Sequence, residues 1–203
     1  ASVQCPLGEF SKKFELGNLE NTVDLLLNIE LPQLRKVDIG NIRKLKALLS
    51  VLASEVPMLV DTAKLSTLLG ISRNTLLAYL EYLDEAKLIR RLYSDDLSVK
   101  KMQKPDKILM DNCNLLKVLA LKEPNIGTLR ETFFCNQLGY QHQVEYSKQG
   151  DFLIDHQITF EIGGQAKEGK QVAAVENAYI VADDIEMRRG WSAALPNGHR
   201  FRI

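Results

Sequence analysis

The sequence predicts a mixed α and β chain in two parts, a helical first part ending in a two-stranded hairpin and a small α/β layered second part. Three observations carry this. A short apolar helix, a glycine and a longer apolar helix follow one another over residues 61–87. Two segments with strand character, at 88–93 and 107–111, follow them. From residue 126 the pattern changes to helix, three short strands, helix and strand, an order that builds a sheet covered by helices.

Residues 1–40 mix polar and apolar positions without a clean period. At the centre of 14–30 Leu19, Val23, Leu26 and Leu27 share a helical face, and 28–34 reads as extended because it leads into Pro32. The region reads as a connector. Residues 41–54 predict a helix with Asn41 as its cap and Ile42, Leu45, Leu48, Leu49 and Leu52 as one apolar stripe. Leu65, Leu68 and Leu69 predict a short helix that Gly70 ends as a left-handed cap. Ser72 then caps a helix running to about Lys87, with Leu76, Leu77, Leu80 and Leu83 facing inward. Short helix, tight glycine turn and longer helix form a helix-turn-helix. The strands at 88–93 and 107–111, with the polar stretch between them as the wing, complete a winged helix-turn-helix over 41–112.

In the remaining 113–203, a helix at 129–139 buries Leu129, Phe133, Phe134 and Leu138. Strands follow at 143–146, 151–154 and 157–162, then a turn-rich loop, a short helix at 171–176 and a final buried strand at 177–182.

Composition narrows the function. The chain has 203 residues, 45% hydrophobic and 26% charged, which is ordinary for a globular protein with its own core. Lys+Arg and Asp+Glu both count 26, so the surface as a whole is not built to wrap nucleic acid, whereas a local basic patch stays open. Cys5, Cys113 and Cys135 are odd in number and lack metal-ligand spacing, so reduced thiols in a cytoplasmic protein are the expectation. No signal segment or membrane span is read from the sequence, so no membrane partner is expected.

Residues at the start of a recognition helix meet base edges. Here they are Ser72, Arg73, Asn74 and Thr75, with Tyr79 one turn on. Arg and Asn suit guanine and adenine. Lys100, Lys101 and Lys104 in the wing suit phosphates, and Arg90 and Arg91 lie on opposite faces of the first wing strand. The competing reading is a packing or protein-contact module, because Glu81, Asp84 and Glu85 make the far end of the recognition helix acidic.

Gly164, Gly169 and Lys170 match the spacing of a phosphate-binding loop, but Gln171 stands where a Ser or Thr hydroxyl must bind magnesium, so a surface loop is the better account. Glu131, Asp151 and Glu161 lie on a helix, at the start of one strand and at the end of another. Such points can converge on one sheet edge to hold Mg²⁺, with Asp151 and Glu161 as its ligands. The alternative is that these acids are solvated or ion-paired.

The run Gly70-Ile-Ser-Arg-Asn-Thr-Leu resembles the region after the motor in a group of bacterial and archaeal AAA-type ATPases. So do Lys107-Ile-Leu-Met-Asp, Leu129-Arg-Glu-Thr-Phe-Phe-Cys-Asn-Gln-Leu, Gly150-Asp-Phe-Leu-Ile and Phe160-Glu-Ile-Gly-Gly. The resemblance covers about residues 20–182. It implies that 1–40 connects to an upstream ATPase module, which would handle ATP and Mg²⁺, and that no ATP is hydrolysed by these residues. It implies that 113–203 is a restriction-endonuclease-like α/β sandwich with Glu131, Asp151 and Glu161 at its catalytic positions. The lysine two residues after the last acid is replaced by Gly163, with Lys167 a conceivable substitute. That loss removes a main catalytic group, so an inactive nuclease-like domain is expected, with Mg²⁺ needed only if the site is active. The expected function is binding, to DNA or to a protein partner, and the rivals are a Mg²⁺-dependent nuclease and a pure protein-interaction module.

Overall fold

A computed structural model describes residues 9–35, 39–94, 104–164, 172 and 175–182. The chain is mixed α and β with two small sheets. Helix α1 (Glu9–Leu25) runs into a π-helical turn, Leu26–Glu30, and then α2 (Leu31–Arg35). The stretch expected to be extended is therefore helical. Pro32 lies inside this continuous helical run, directly after the π-helical turn in which the Leu31 N–H donates to the Leu26 carbonyl, and a locally widened helix is where a residue without an N–H is accommodated. Val23, Leu27 and Leu31 are buried in the first core, so the expected connector is packed as part of the first unit.

Helix α3 (Ile39–Glu55) begins before Asn41, which lies within its first turn and does not cap it. Its face of Leu45, Leu48, Leu49 and Leu52 is sealed from solvent. A two-residue strand, β1 (Met58–Leu59), leads to α4 (Thr62–Leu69), which is capped by Asp61 accepting from the N–H groups of Ala63 and Lys64. Gly70, at φ 59°, ends it in the left-handed region, where glycine carries no steric penalty. The ammonium of Lys44 donates to the Gly70 carbonyl at 2.9 Å, tying this turn to α3. Helix α5 (Arg73–Glu85) starts at Ser72, whose Oγ accepts from Thr75 N–H at 3.1 Å.

Strands β2 (Ile89–Leu92) and β3 (Lys107–Met110) form an antiparallel hairpin, and β1 adds to the far side of β3, giving the order β1-β3-β2. The stretch expected to form the wing tip, 95–103 with Lys100 and Lys101, lies outside the described residues. The body of the hairpin is buried on both faces. Ile89, Ile108 and Met110 enter the first core, and Leu92 and Leu109 enter the second. Alternation of side chains across a strand accounts for the division.

An unforeseen helix, α6 (Cys113–Leu119), follows. Asn112 caps it, accepting from the N–H groups of Asn114 and Leu115, and Leu115 and Leu116 join the first core. Helix α7 (Ile126–Leu138) begins three residues earlier than expected because Asn125 caps it. Its buried face is Thr128, Thr132, Phe134, Cys135, Asn136 and Leu138, while Phe133 and Leu129 are only half-buried. This helix sits between the two cores, so its buried face is wider than one apolar stripe and includes polar residues. Thr128 Oγ1 donates to the Val56 carbonyl at 3.2 Å, and Asn136 Nδ2 to the Asp111 carbonyl at 3.0 Å.

Four strands complete the fold: β4 (Val144–Tyr146), β5 (Phe152–Ile154), β6 (Ile158–Gly163) and β7 (Ala178–Ala182), in the order β4-β5-β6-β7 with only the last pair parallel. The last strand was expected to be buried, but it is an edge strand with Ile180 38% exposed. One face of this sheet, with Phe152, Ile154, Phe160 and Ile162, packs on Phe134 of α7 to form the second core. Tyr146 N–H donates to the Tyr93 carbonyl at 2.9 Å, joining β4 to the end of β2. Of the short helix expected at 171–176, residues 171, 173 and 174 lie outside the described residues, and Glu176 is in a turn.

Candidate functional site

The first candidate surface is the start of α5. Ser72, Arg73 and Asn74 are exposed there, immediately after the left-handed turn at Gly70. Thr75 is half-buried and its hydroxyl lies 2.8 Å from that of Ser72, so both hydroxyls also serve the cap. Tyr79 is corrected. It is 4% exposed and belongs to the first core. It lies three residues from Leu76 and four from Leu83, which places it on the apolar face of α5, and burial raises its phenol pKa above the ordinary value. It is not available to a ligand at this surface.

Basic groups lie near the start of α4. The carboxylate of Asp61 is held below the ordinary range chiefly by the backbone N–H of Lys64; desolvation opposes this, and the N–H of Ala63 and the ammonium groups of Lys104 and Lys64 lower it further. Lys64 is exposed and Lys104 half-buried, so both present charge close to the first turn of α4. Two of the three acids at the far end of α5 are paired with arginines, and Glu81 is exposed. Asp84 accepts from Arg91 Nε at 3.1 Å and from its backbone N–H at 3.2 Å, and Glu85 pairs with Arg35. Arg91 is thereby committed to α5, and Arg90 to Asp111 at 3.0 Å, so neither arginine of β2 is directed at a ligand.

The second candidate is the carboxylate set. The structure brings Glu131 and Asp151 to one cation, Lys107. Its Nζ lies 2.7 Å from Glu131 Oε2 and 4.0 Å from Asp151 Oδ1, and 4.8 Å from the centre of the Phe152 ring. The Lys107 side chain is 9% exposed, those of Glu131 and Asp151 16% and 20%. The other oxygen of Asp151 accepts from the Ile162 N–H at 2.6 Å. Glu161 does not join them on the same face. Phe160 and Ile162, on either side of it, enter the core shared with Phe134, so alternation directs Glu161 to the opposite face of β6. It is 2% exposed there.

As placed, these three acids do not fit a shared divalent ion. An ammonium already sits between two of them and the third is turned away. Among the described residues no group of three or more His, Cys, Asp or Glu side chains is placed to hold a metal ion. The conceivable substitute Lys167 lies outside the described residues, as do Gly169, Lys170 and Gln171. Lys107 had no signal in sequence other than an unusual charge opening an apolar strand.

Burial pushes the Cys135 thiol up to about 12, which makes it a core residue and not a nucleophile at neutral pH. Cys113 is also buried, and its Sγ lies 3.4 Å from the Leu129 carbonyl. No helix among the described residues is long and apolar enough to cross a membrane.

Residues 10–125 match the model of a family described as a domain of unknown function, DUF8612. The chain belongs to that family. The DUF8612 segment runs from α1 to Asn125, the cap of α7, and so includes α4, α5, the hairpin and α6. No curated protein and no solved structure matches the chain.

Proposed function

We propose that this chain is the C-terminal, non-motor region of an AAA-type ATPase, cytoplasmic, in which a winged helix-turn-helix at 41–112 contacts duplex DNA and a restriction-endonuclease-like layer at 113–203 acts as a non-catalytic scaffold. The observation that carries the DNA reading is the exposed row Ser72, Arg73 and Asn74 at the start of α5, with Lys64 and Lys104 close to α4. The order of three helices, a short strand and a hairpin supports the winged-helix reading. Pairing of Asp84 and Glu85 reduces the charge objection to a phosphate backbone approaching α5, with Glu81 still exposed on that helix. Against the nuclease rival stand Gly163 at the lysine position and the pairing of Glu131 with Lys107. ATP hydrolysis belongs, on this reading, to an upstream module.

The test is fluorescence anisotropy with a labelled duplex of about two helical turns. Binding in the micromolar range at low salt is expected, weakening steeply as salt rises. Arg73→Ala should weaken it by about tenfold, the order expected for one arginine reading a base. Tyr79→Phe should leave it unchanged, because the ring is in the core. Unmeasurable affinity at low salt sinks the DNA reading and leaves the protein-partner reading, for which exposed Leu68 on α4 offers an apolar contact.

A further inference from the structure

We infer that Lys107 is a resident cation, occupying the position between Glu131 and Asp151 where a divalent ion would otherwise be held. The argument starts from cost. A lysine is almost never this buried without a partner, and removing its charge from water is strongly unfavourable unless carboxylates compensate it. Here two do, one in hydrogen-bond contact at 2.7 Å and one at 4.0 Å, and the face of Phe152 adds a cation–π contact at 4.8 Å. The lysine comes from β3 of the first sheet, the acids from α7 and from the turn before β5. Its charge therefore does two things. It neutralises an acid pair that would repel, and it fastens the second unit to the hairpin.

The geometry also explains why a fixed ammonium and a metal exclude one another here. Glu131 Oε2 and Asp151 Oδ1 both face the same Nζ. Small hard cations are held by one or two carboxylates and several waters, so these two oxygens would suffice once the ammonium is gone. Asp151 Oδ2 is already engaged by the Ile162 N–H, which fixes the carboxylate without a metal. Another ion pair, Arg90 with Asp111, lies along the same seam between the hairpin and α7 and is already balanced. The inference rests on this geometry alone and is independent of whether α5 binds DNA.

The experiment compares thermal melting of the wild-type chain, Lys107→Ala and the double variant Lys107→Ala/Glu131→Gln, each in EDTA and in millimolar Mn²⁺. Mn²⁺ should leave the wild type within about 1 °C and raise the Tm of Lys107→Ala by about 3 °C or more. The double variant should lose that response. If Lys107→Ala is unfolded in EDTA, the same comparison is made by circular dichroism, and folding in Mn²⁺ alone supports the inference. A wild type that responds as strongly as Lys107→Ala, a Lys107→Ala chain with no response, or one unfolded in both conditions overturns it.

Discussion

Phe152→Ala is expected to lower the stability of the chain by about 3–5 kcal/mol, read from the urea midpoint followed by circular dichroism. Phe152 is sealed from solvent, its ring stacks on Phe134 at 5.5 Å, and Lys107 lies over its face. Truncation leaves a cavity in the second core and removes one support of a buried ammonium. Because Leu92 and Leu109 of the hairpin belong to that core while Ile89, Ile108 and Met110 belong to the other, the loss should appear as an earlier single transition. A cost under about 1 kcal/mol would mean that this residue is not the centre of the second core.

The second large effect is at the polar seam. Asp111→Ala should cost about 3 kcal/mol, the order for removing one partner of a mostly buried ion pair. Arg90 would keep only a long contact to the Cys135 carbonyl, at 3.5 Å. Its guanidinium also cannot relax freely, since it lies against Gly139 so closely that a Cβ there would meet Nη1 at 1.6 Å. The double variant Arg90→Met/Asp111→Leu should be less damaging than Asp111→Ala, because no uncompensated charge remains. Equal or greater damage in the double variant would show that packing, and not charge, dominates at this seam.

Much of the architecture is legible from periodicity and caps. The apolar stripe of α3, the Gly70 turn, the Ser72 cap and the alternation that marks β4 to β6 all act over a few residues, and each appears in the structure within a few positions of its expected place. What was missed depends on contacts between distant segments. Strand β1 is two residues long and exists through its pairing with β3. Helix α6 carries its signal in Asn112 and Leu115–Leu116, but nothing local says that those leucines complete the core of α1 and α3. Pro32 reads in sequence as the end of a helix, whereas in the structure the π-helical turn just before it lets the helix continue through it.

The candidate sites divide in the same way. Ser72, Arg73 and Asn74 are placed by a local cap and are exposed as their position implies. Tyr79 was placed by counting along the helix, whereas its neighbours at three and four residues show which face it lies on. The acids were read as a set, and only the tertiary structure shows that two of them meet Lys107, which is 24 positions from Glu131, while strand alternation turns the third away.

The account rests most heavily on the start of α5 as the contacting surface. Backbone amide NMR of the intact chain, titrated with a short DNA duplex at low salt, tests this directly. Chemical-shift changes should concentrate at 70–75 and around Lys64 and Lys104, with little change at 126–162, and should shrink markedly for Arg73→Ala at the same sub-saturating DNA concentration. Changes centred on Glu131 and Asp151, or no changes at all, would contradict it.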